Sequence, residues 1–151
     1  MKGVDALTHE FLETFPKELE EGKLYISIKY HSAAHNCCCG CGKKVITPLS
    51  PVGWTLSFDG KTVSLDPSIG SWTLPCKSHY FITKNKVEWA KKWSEEKIER
   101  VRLADFQDRQ NYYTKKEEES SNKAKIRNQK ELKRKEKQGV LQKLKNLIKR
   151  K

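Results

Sequence analysis

The number and spacing of the cysteines constrain this chain more than any other feature. Four cysteines occupy one window, Cys37-Cys38-Cys39-Gly40-Cys41, and the fifth lies far along the chain in Pro75-Cys76-Lys77-Ser78-His79. Thiolate and imidazole ligands arranged in a tetrahedron are the ligands that zinc prefers. Glycines beside the cysteines let the backbone turn tightly around a metal. The spacing therefore predicts a zinc site that draws two distant segments together.

The residues alone leave two ligand sets open. The first set consists of the alternating cysteines and the distant one, namely Cys37, Cys39, Cys41 and Cys76. The second combines a C-x-x-C pair with a C-x-x-H pair, namely Cys38, Cys41, Cys76 and His79. Four protein ligands close a zinc site to substrate. No H-E-x-x-H or comparable motif supplies a general base beside the metal, so we expect a structural zinc.

Length and hydropathy limit the class of protein. The chain has 151 residues, enough for one domain of ordinary size. It has no N-terminal apolar stretch typical of a signal peptide. No segment approaches the roughly 18 apolar residues that a membrane crossing needs. We therefore expect a cytoplasmic protein, in which clustered cysteines bind metal rather than form disulfides.

Positive charge is concentrated in the C-terminal part. The whole chain carries a net charge of +12. Residues 1–89 contain 10 Lys and Arg against 9 Asp and Glu, whereas residues 90–151 contain 21 against 10. The two parts therefore require separate explanations.

Alternating apolar residues predict β-strands in the first 90 residues. Lys23–Ile28 alternates clearly, and two hairpins with two-residue turns are expected at Asp59-Gly60 and Lys84-Asn85. We predict a mainly β fold: a small antiparallel, zinc-stabilised domain over residues 1–95. A helical, partly disordered basic extension over residues 96–151 makes the chain α+β overall. About 80 residues give a thin core, which a structural metal would stabilise.

Helical spacing appears from Trp89 onward. Trp89, Trp93 and Ile98 predict a helix that packs on the sheet through its tryptophans. Residues 115–137 are mostly charged or polar and are expected to be a solvated helix or disordered. Gly139 interrupts the pattern, and residues 140–148 then form an apolar stripe in a basic amphipathic helix.

Residues 9–95 resemble a known bacterial family. The matching residues form a long series: Phe15-Pro16, Leu24-Tyr25-Ile26-Ser27, His35-Asn36-Cys37, Cys39-Gly40-Cys41-Gly42, Gly53-Trp54, Asp59-Gly60, Pro67-Ser68-Ile69-Gly70, Trp72, Pro75-Cys76, Ser78-His79-Tyr80 and Val87-Glu88-Trp89-Ala90. The series resembles a small cysteine-rich family catalogued as a domain of unknown function. Its members accompany bacterial ubiquitin-like (Bub-type) conjugation operons as the peptidase-like component.

The resemblance implies a ligand set and an activity. It implies that zinc is bound by Cys37, Cys39, Cys41 and Cys76, whereas the C-x-x-H spacing keeps His79 as the alternative ligand. It also implies a serine peptidase that processes or releases a ubiquitin-like protein. The serines in matching motifs are Ser68, Ser78 and Ser64, and the histidines are His35 and His79.

A catalytic serine needs a histidine within hydrogen-bond reach. Adjacent residues of a strand point to opposite faces, so Ser78 and His79 are unsuited to each other. We favour Ser78 with His35, because a shared zinc would bring their segments together. Ser68 with His79 is the competing pair. Asp66 and Asp59 are the weak candidates for an acid that orients the histidine.

The predicted function is therefore a serine-type peptidase that matures or deconjugates a bacterial ubiquitin-like protein, with a structural zinc. The rival function is a non-catalytic zinc adaptor that binds a ubiquitin-like protein or nucleic acid. Expected partners are the ubiquitin-like protein, its conjugates and its conjugation enzymes. The basic tail suits an acidic protein, nucleic acid or an anionic membrane surface.

Overall fold

The computed structural model describes residues 3–148, and at residues 132, 136 and 140–148 it describes the backbone only. Eight strands precede one helix, α1 (Glu95–Ile148). The strands are β1 (Thr8–Phe11), β2 (Lys23–Ser27), β3 (Ser32–Asn36), β4 (Lys44–Pro48), β5 (Thr55–Phe58), β6 (Val63–Gly70), β7 (His79–Thr83) and β8 (Lys86–Trp89).

The first sheet has the strand order β1-β2-β3-β4. β1 pairs with β2 in parallel, and the two other pairs are antiparallel. β2 is the predicted Lys23–Ile28 strand: it begins at Lys23 as predicted and ends one residue earlier, at Ser27. Leu24 and Ile26 of β2 are fully buried, and β3 contributes Ala33 to the same core.

The second sheet is a meander of β5, β6, β7 and β8, all antiparallel. The turn between β7 and β8 is the predicted two-residue Lys84-Asn85 turn, with positive φ at both residues. The hairpin predicted at Asp59-Gly60 forms, but its connection is longer than the predicted two-residue turn. Four residues, 59–62, connect β5 to β6, because the Asp59 side chain accepts hydrogen bonds from Lys61 N and from Thr62 N and Oγ1.

The N-terminal segment connects the two sheets. Leu7 N donates to Asn85 O and Val87 N donates to Asp5 O, while Ala6 forms an isolated antiparallel bridge with Lys86. This segment therefore occupies the free edge of β8. One apolar core results, to which both sheets contribute: Leu7, Leu24, Ile26, Ala33, Cys37, Cys38, Val63, Leu65, Ile69, Tyr80, Ile82 and Val87.

The helix begins later than its apolar spacing predicted. Trp89 ends β8 and Trp93 lies in the connection, so neither belongs to α1, which starts at Glu95. Ser94 caps this start, because Lys97 N donates to its Oγ, and Glu95 and Glu96 lie in the first turn. Ile98 is the buried residue of the first turns.

From Glu95 the helix is continuous to Ile148, so Gly139 does not interrupt it. The predicted apolar stripe at 140–148 falls on side chains outside the described residues. Met1–Asp105 form one compact unit and Phe106–Lys151 form a second. Within residues 3–148, α1 lacks an apolar stretch long enough to cross a membrane.

The chain thus has two small, antiparallel-rich sheets and one long helix, which confirms the α+β class. The prediction of a mainly β fold holds only for residues 8–89, which contain the eight strands. Over the whole chain, strand and helix contents are comparable, because α1 alone comprises 54 residues.

Two isoleucines in the first sheet provide a test of the core. Ile26 is fully buried, whereas Ile46 of β4 is 59% exposed. We expect Ile26→Ala to lower the free energy of unfolding by about 2–5 kcal/mol, because it removes buried apolar surface and leaves a cavity. Ile46→Ala is the matched control and should change it by about 0.5 kcal/mol or less. Chemical denaturation of both variants measures the difference, and equal effects would contradict this core.

Candidate active site and metal centre

Four cysteine sulfurs lie together at one point of the fold. The Sγ atoms of Cys37, Cys39, Cys41 and Cys76 are all within 4.8 Å of one another. Cys37 Sγ lies 3.4 Å from Cys39 Sγ and 3.9 Å from Cys76 Sγ, and Cys41 Sγ lies 3.8 Å from Cys76 Sγ. Zn–S bonds of about 2.3 Å in a tetrahedron place the sulfurs about 3.8 Å apart. The cluster can therefore hold a metal ion of the size and preference of zinc.

Local backbone geometry explains why three of these sulfurs converge. Residues 37–43 form the tight connection between β3 and β4, in which Cys37 N donates to Lys43 O and Gly40 N donates to Cys37 O. Gly40 and Gly42 have φ values of +79° and +67°, a region that favours glycine. The loop can therefore present alternate residues, Cys37, Cys39 and Cys41, to one point.

Electrostatics of the cluster also fit a cation. Burial acts to raise the pKa of Cys76, but hydrogen bonds from the backbone and side chain of Ser78 and from neighbouring thiols lower it to about 7. Burial, together with the thiols of Cys41 and Cys37, raises the pKa of Cys39. Four crowded sulfurs cannot all ionise without a positive charge among them, and a divalent metal supplies that charge.

Cys38 lies apart from this cluster. Its side chain is fully buried in the apolar core beside Tyr80. Burial raises the pKa of the Cys38 thiol to about 12, so this residue is a neutral core side chain. Of the two predicted ligand sets, the structure assembles the one without Cys38 and without His79.

The favoured catalytic pair, Ser78 and His35, is not brought together. Ser78 Oγ lies 2.9 Å from Cys37 Sγ and 3.7 Å from Cys76 Sγ, so its hydroxyl serves the sulfur cluster. His35 Nε2 lies 2.7 Å from the Tyr80 hydroxyl. Burial lowers the pKa of His35 to about 4, so the ring is neutral. Its Nδ1 has no partner among the described residues.

The competing pair, Ser68 and His79, is in hydrogen-bond contact. His79 Nε2 lies 2.8 Å from Ser68 Oγ. On the other side of the ring, His79 Nδ1 lies 3.2 Å from the backbone oxygen of Lys91. A carbonyl oxygen only accepts, so it selects the tautomer with hydrogen on Nδ1 and leaves the Nε2 lone pair facing the serine hydroxyl. This is the arrangement of a nucleophile, a base and a group that orients the base.

Strand register creates this contact. β6 and β7 pair Gly70 with His79, and directly paired residues point to the same face of a sheet. Ser68 precedes Gly70 by two residues and therefore lies on the same face. The register is irregular between Leu65 and Ile69, and the Asp66–Pro67 peptide bond there is cis. Ser68 lies within this irregular stretch, and its hydroxyl contacts the histidine of the neighbouring strand.

Two tryptophans enclose the histidine. Ring centroids of Trp72 and Trp93 lie 5.0 and 4.5 Å from that of His79, and the two indoles stack at 5.2 Å. Gly70 makes room for this packing, because a Cβ at that position would lie 2.1 Å from the Trp72 ring. The imidazole is therefore held by packing on its faces and by hydrogen bonds at both nitrogens.

The two acids considered as triad members lie elsewhere. Asp59 accepts hydrogen bonds from the backbone and side chain of Thr62 and from Lys61 N, which lower the pKa of its carboxyl to about 2. Asp66 makes no hydrogen bond to His79 among the described residues. The orienting group is instead the Lys91 carbonyl. Sequence reasoning missed it, because every residue has a backbone carbonyl and only the tertiary structure selects one.

Comparison with known proteins supplies the family. Residues 11–90 match the family model described as "Bacterial ubiquitination-like system serine protease (BubE)". The chain belongs to this family. No curated protein and no solved structure matches the chain.

The BubE match includes most of the site. All five cysteines, Ser68, Trp72 and His79 fall inside residues 11–90. Trp93 and the Lys91 carbonyl lie just beyond the matched segment, and α1 lies wholly outside it. The family match therefore confirms the predicted resemblance and leaves the helix without an assignment.

Metal binding can be tested with single cysteine variants. We expect Cys38→Ser to retain one zinc per chain, because its side chain is not part of the sulfur cluster. Cys39→Ser and Cys76→Ser each remove one of the four sulfurs and should lose the metal and much of the stability. Elemental analysis after gel filtration measures the zinc content, and thermal denaturation measures stability. Zinc loss in Cys38→Ser would refute this ligand set.

Glycine 70 offers a test of the aromatic packing around His79. We expect Gly70→Ala to displace Trp72, because the added Cβ meets an indole ring rather than a flexible chain end. The overpacking should cost about 1–3 kcal/mol and change tryptophan fluorescence. Gly139→Ala is the matched control: nothing lies within 4 Å of that position, and alanine favours the helix. An unchanged tryptophan emission in Gly70→Ala would contradict the packing.

Proposed function

We propose that this protein is a serine peptidase that cleaves the peptide bond after the C-terminal tail of a bacterial ubiquitin-like protein. In this proposal Ser68 is the nucleophile and His79 is the general base. The observation that carries this proposal is the Ser68 Oγ to His79 Nε2 distance of 2.8 Å. The family description as a serine protease of a ubiquitination-like system agrees with it. This assignment replaces the pair Ser78 and His35.

The chemistry follows from the two hydrogen bonds of His79. Nε2 takes the proton from Ser68 Oγ as the hydroxyl oxygen attacks the scissile carbonyl, and later returns it to the leaving amine. The Lys91 carbonyl accepts the Nδ1 hydrogen and keeps the ring in this tautomer throughout. A neutral carbonyl stabilises the imidazolium less than a carboxylate does, so we class the site as a dyad oriented by backbone.

The shape of the second sheet supports an extended substrate. β5 pairs with β6 only as far as Thr55 opposite Asp66. Beyond that point no described strand pairs with β6 on this side, although β6 continues to Gly70. An extended tail placed along this open edge would run past Ser68, as in recognition by strand addition. Trp54 borders the same stretch, because its Nε1 donates to Ser68 O at 3.4 Å.

We assign a structural role to the metal. Four sulfur ligands would complete the tetrahedral coordination of zinc and leave no position for water or substrate. The proposed nucleophile and base are not among these ligands. Bound zinc would fix Cys76, and His79 follows three residues later. The Ser78 hydroxyl lies 2.9 Å from the sulfur of Cys37 and would support the ligand set there. We assign the metal site and the dyad to a domain of residues 1–95, and the basic extension to residues 96–151.

Free thiols that serve as metal ligands are stable in a reducing compartment, so we place the protein in the cytoplasm.

The partners that we propose follow from the same role. They are the ubiquitin-like protein itself, its conjugates and the enzymes that attach it. The rival is a zinc adaptor without catalysis, which would bind a ubiquitin-like protein or nucleic acid. The two differ in whether the Ser68 hydroxyl reacts.

We expect Ser68→Ala and His79→Gln to lower the cleavage rate by about 10³-fold or more, because each removes one member of the dyad. Intact-mass spectrometry would follow a ubiquitin-like protein from the same operon, carrying a C-terminal extension. Ser78→Ala is the matched serine control and should keep activity within about tenfold wherever zinc is retained. Loss of cleavage in zinc-loaded Ser78→Ala with full activity of Ser68→Ala would overturn the assignment.

A labelling experiment separates a wrong substrate from a wrong mechanism. Fluorophosphonate should modify the wild type at Ser68, and the adduct should be absent from His79→Gln, because an unactivated hydroxyl reacts slowly. Labelling without cleavage would keep the dyad and reject the substrate. A zinc-loaded wild type that shows neither labelling nor cleavage would favour the adaptor.

A further inference from the structure

The middle of α1 carries one continuous row of cations. Residues 123–137 contain eight Lys and Arg against two Glu. Five of the cations recur at alternating steps of four and three residues, the spacing at which side chains share one face of a helix. We call this row the basic stripe: Lys123, Arg127, Lys130, Arg134 and Lys137.

The described side chains show that the stripe is a surface feature. All five members are exposed. Arg127, Lys130 and Arg134 line one surface depression together with Glu131, Lys135 and Gln138. Glu131 forms an i,i+4 ion pair with Lys135, 3.1 Å apart, beside the stripe. Among the side chains that the structure describes, no member of the stripe has a carboxylate within ion-pair distance.

The geometry points to the phosphate backbone of nucleic acid as the partner, and we propose that the basic stripe binds it without reading sequence. The stripe extends over 14 residue steps, or about 21 Å of helix axis. About six phosphates of one strand of a duplex occupy that length. A helix of about 10–12 Å diameter also fits the major groove, which is about 12 Å wide.

The composition of the surrounding helix favours nucleic acid over other polyanions. Protein interfaces are poor in Lys at their centre, whereas nucleic-acid interfaces are strongly positive. Insertion into a membrane surface needs an apolar face opposite the charges. Between residues 114 and 139, the described aliphatic side chains are those of Ala124 and Ile126, which form no such face.

The stripe can be tested with matched charge variants of the full chain. The stripe variant carries Arg127→Gln, Lys130→Gln and Arg134→Gln. The control variant carries Lys115→Gln, Lys125→Gln and Lys133→Gln, which remove the same charge from exposed positions outside the stripe and outside the surface depression. Glutamine favours helix nearly as well as lysine, and circular dichroism would confirm equal helicity. The probe is a fluorescein-labelled DNA duplex of about 20 base pairs, followed by anisotropy over a range of salt.

For wild type, five phosphate contacts predict a slope of about −4.5 for log affinity against log salt concentration. The stripe variant should have a slope of about −2 and bind at least about 30-fold more weakly at about 100 mM salt. The control should lose less than about fivefold, since charges across the helix are largely screened. Arg127→Lys with Arg134→Lys should restore binding to near wild type, because phosphate contact needs charge rather than a guanidinium.

Several results would overturn the proposal. Equal losses in the stripe and control variants would mean that net charge alone acts. No binding of wild type to the duplex at about 50 mM salt would reject a nucleic-acid partner. Binding to vesicles of phosphatidylcholine and phosphatidylserine without duplex binding would assign the stripe to anionic lipid. Tighter binding to poly-glutamate than to the duplex would assign it to an acidic protein.

Discussion

The convergence of Cys76 on the three cysteines of the β3–β4 connection is the contact on which the rest of the structure depends. It joins the first sheet to the segment that leads into β7 of the second sheet. A domain of this size buries little apolar surface, so a metal bound by these four sulfurs would tie distant segments together and add stability that its core lacks. The closed set of four sulfurs also explains why neither histidine is needed as a ligand. Both remain available for other roles.

The position of His79 follows from that contact. Only Lys77 and Ser78 separate it from Cys76, and Ser78 Oγ lies 2.9 Å from Cys37 Sγ in the sulfur cluster. β7 begins at His79, opposite Gly70 of β6, and this register brings Ser68 to the same face. The ring is then enclosed by Trp72 and Trp93 and oriented by the Lys91 carbonyl. The sulfur cluster and the proposed dyad are therefore positioned by the same segment, although they share no side chain.

Most of α1 lies outside both the matched family segment and the first compact unit. The family match ends at residue 90, before α1 begins. The first turns of α1 belong to the first compact unit and bury Ile98, whereas the residues from Phe106 onward form a unit of their own. Apolar contacts hold the first unit together, whereas the described surface of the second unit is mostly charged. The proposed dyad and the proposed nucleic-acid stripe therefore lie in separate units of the chain.

Sequence by itself predicted the α+β class, the Lys84-Asn85 turn, the concentration of positive charge and a cysteine cluster suited to a metal, although its residues left two ligand sets open. These features depend on residue type and short spacing, which a sequence displays directly.

The sequence placed Ser68 and His79 among the catalytic candidates but ranked Ser78 and His35 above them. Sequence spacing cannot report that Ser78 faces a sulfur, or that His35 is buried against Tyr80. It also extended the helix back to Trp89, because aromatic residues in an edge strand and its connection imitate helical spacing. The contact between Ser68 and His79, the proposed nucleophile and base, was decided by the tertiary structure alone, because strand register sets which side chains meet across 11 residues of chain. The same holds for the Lys91 carbonyl, since a backbone group gains a role only from the fold that places it.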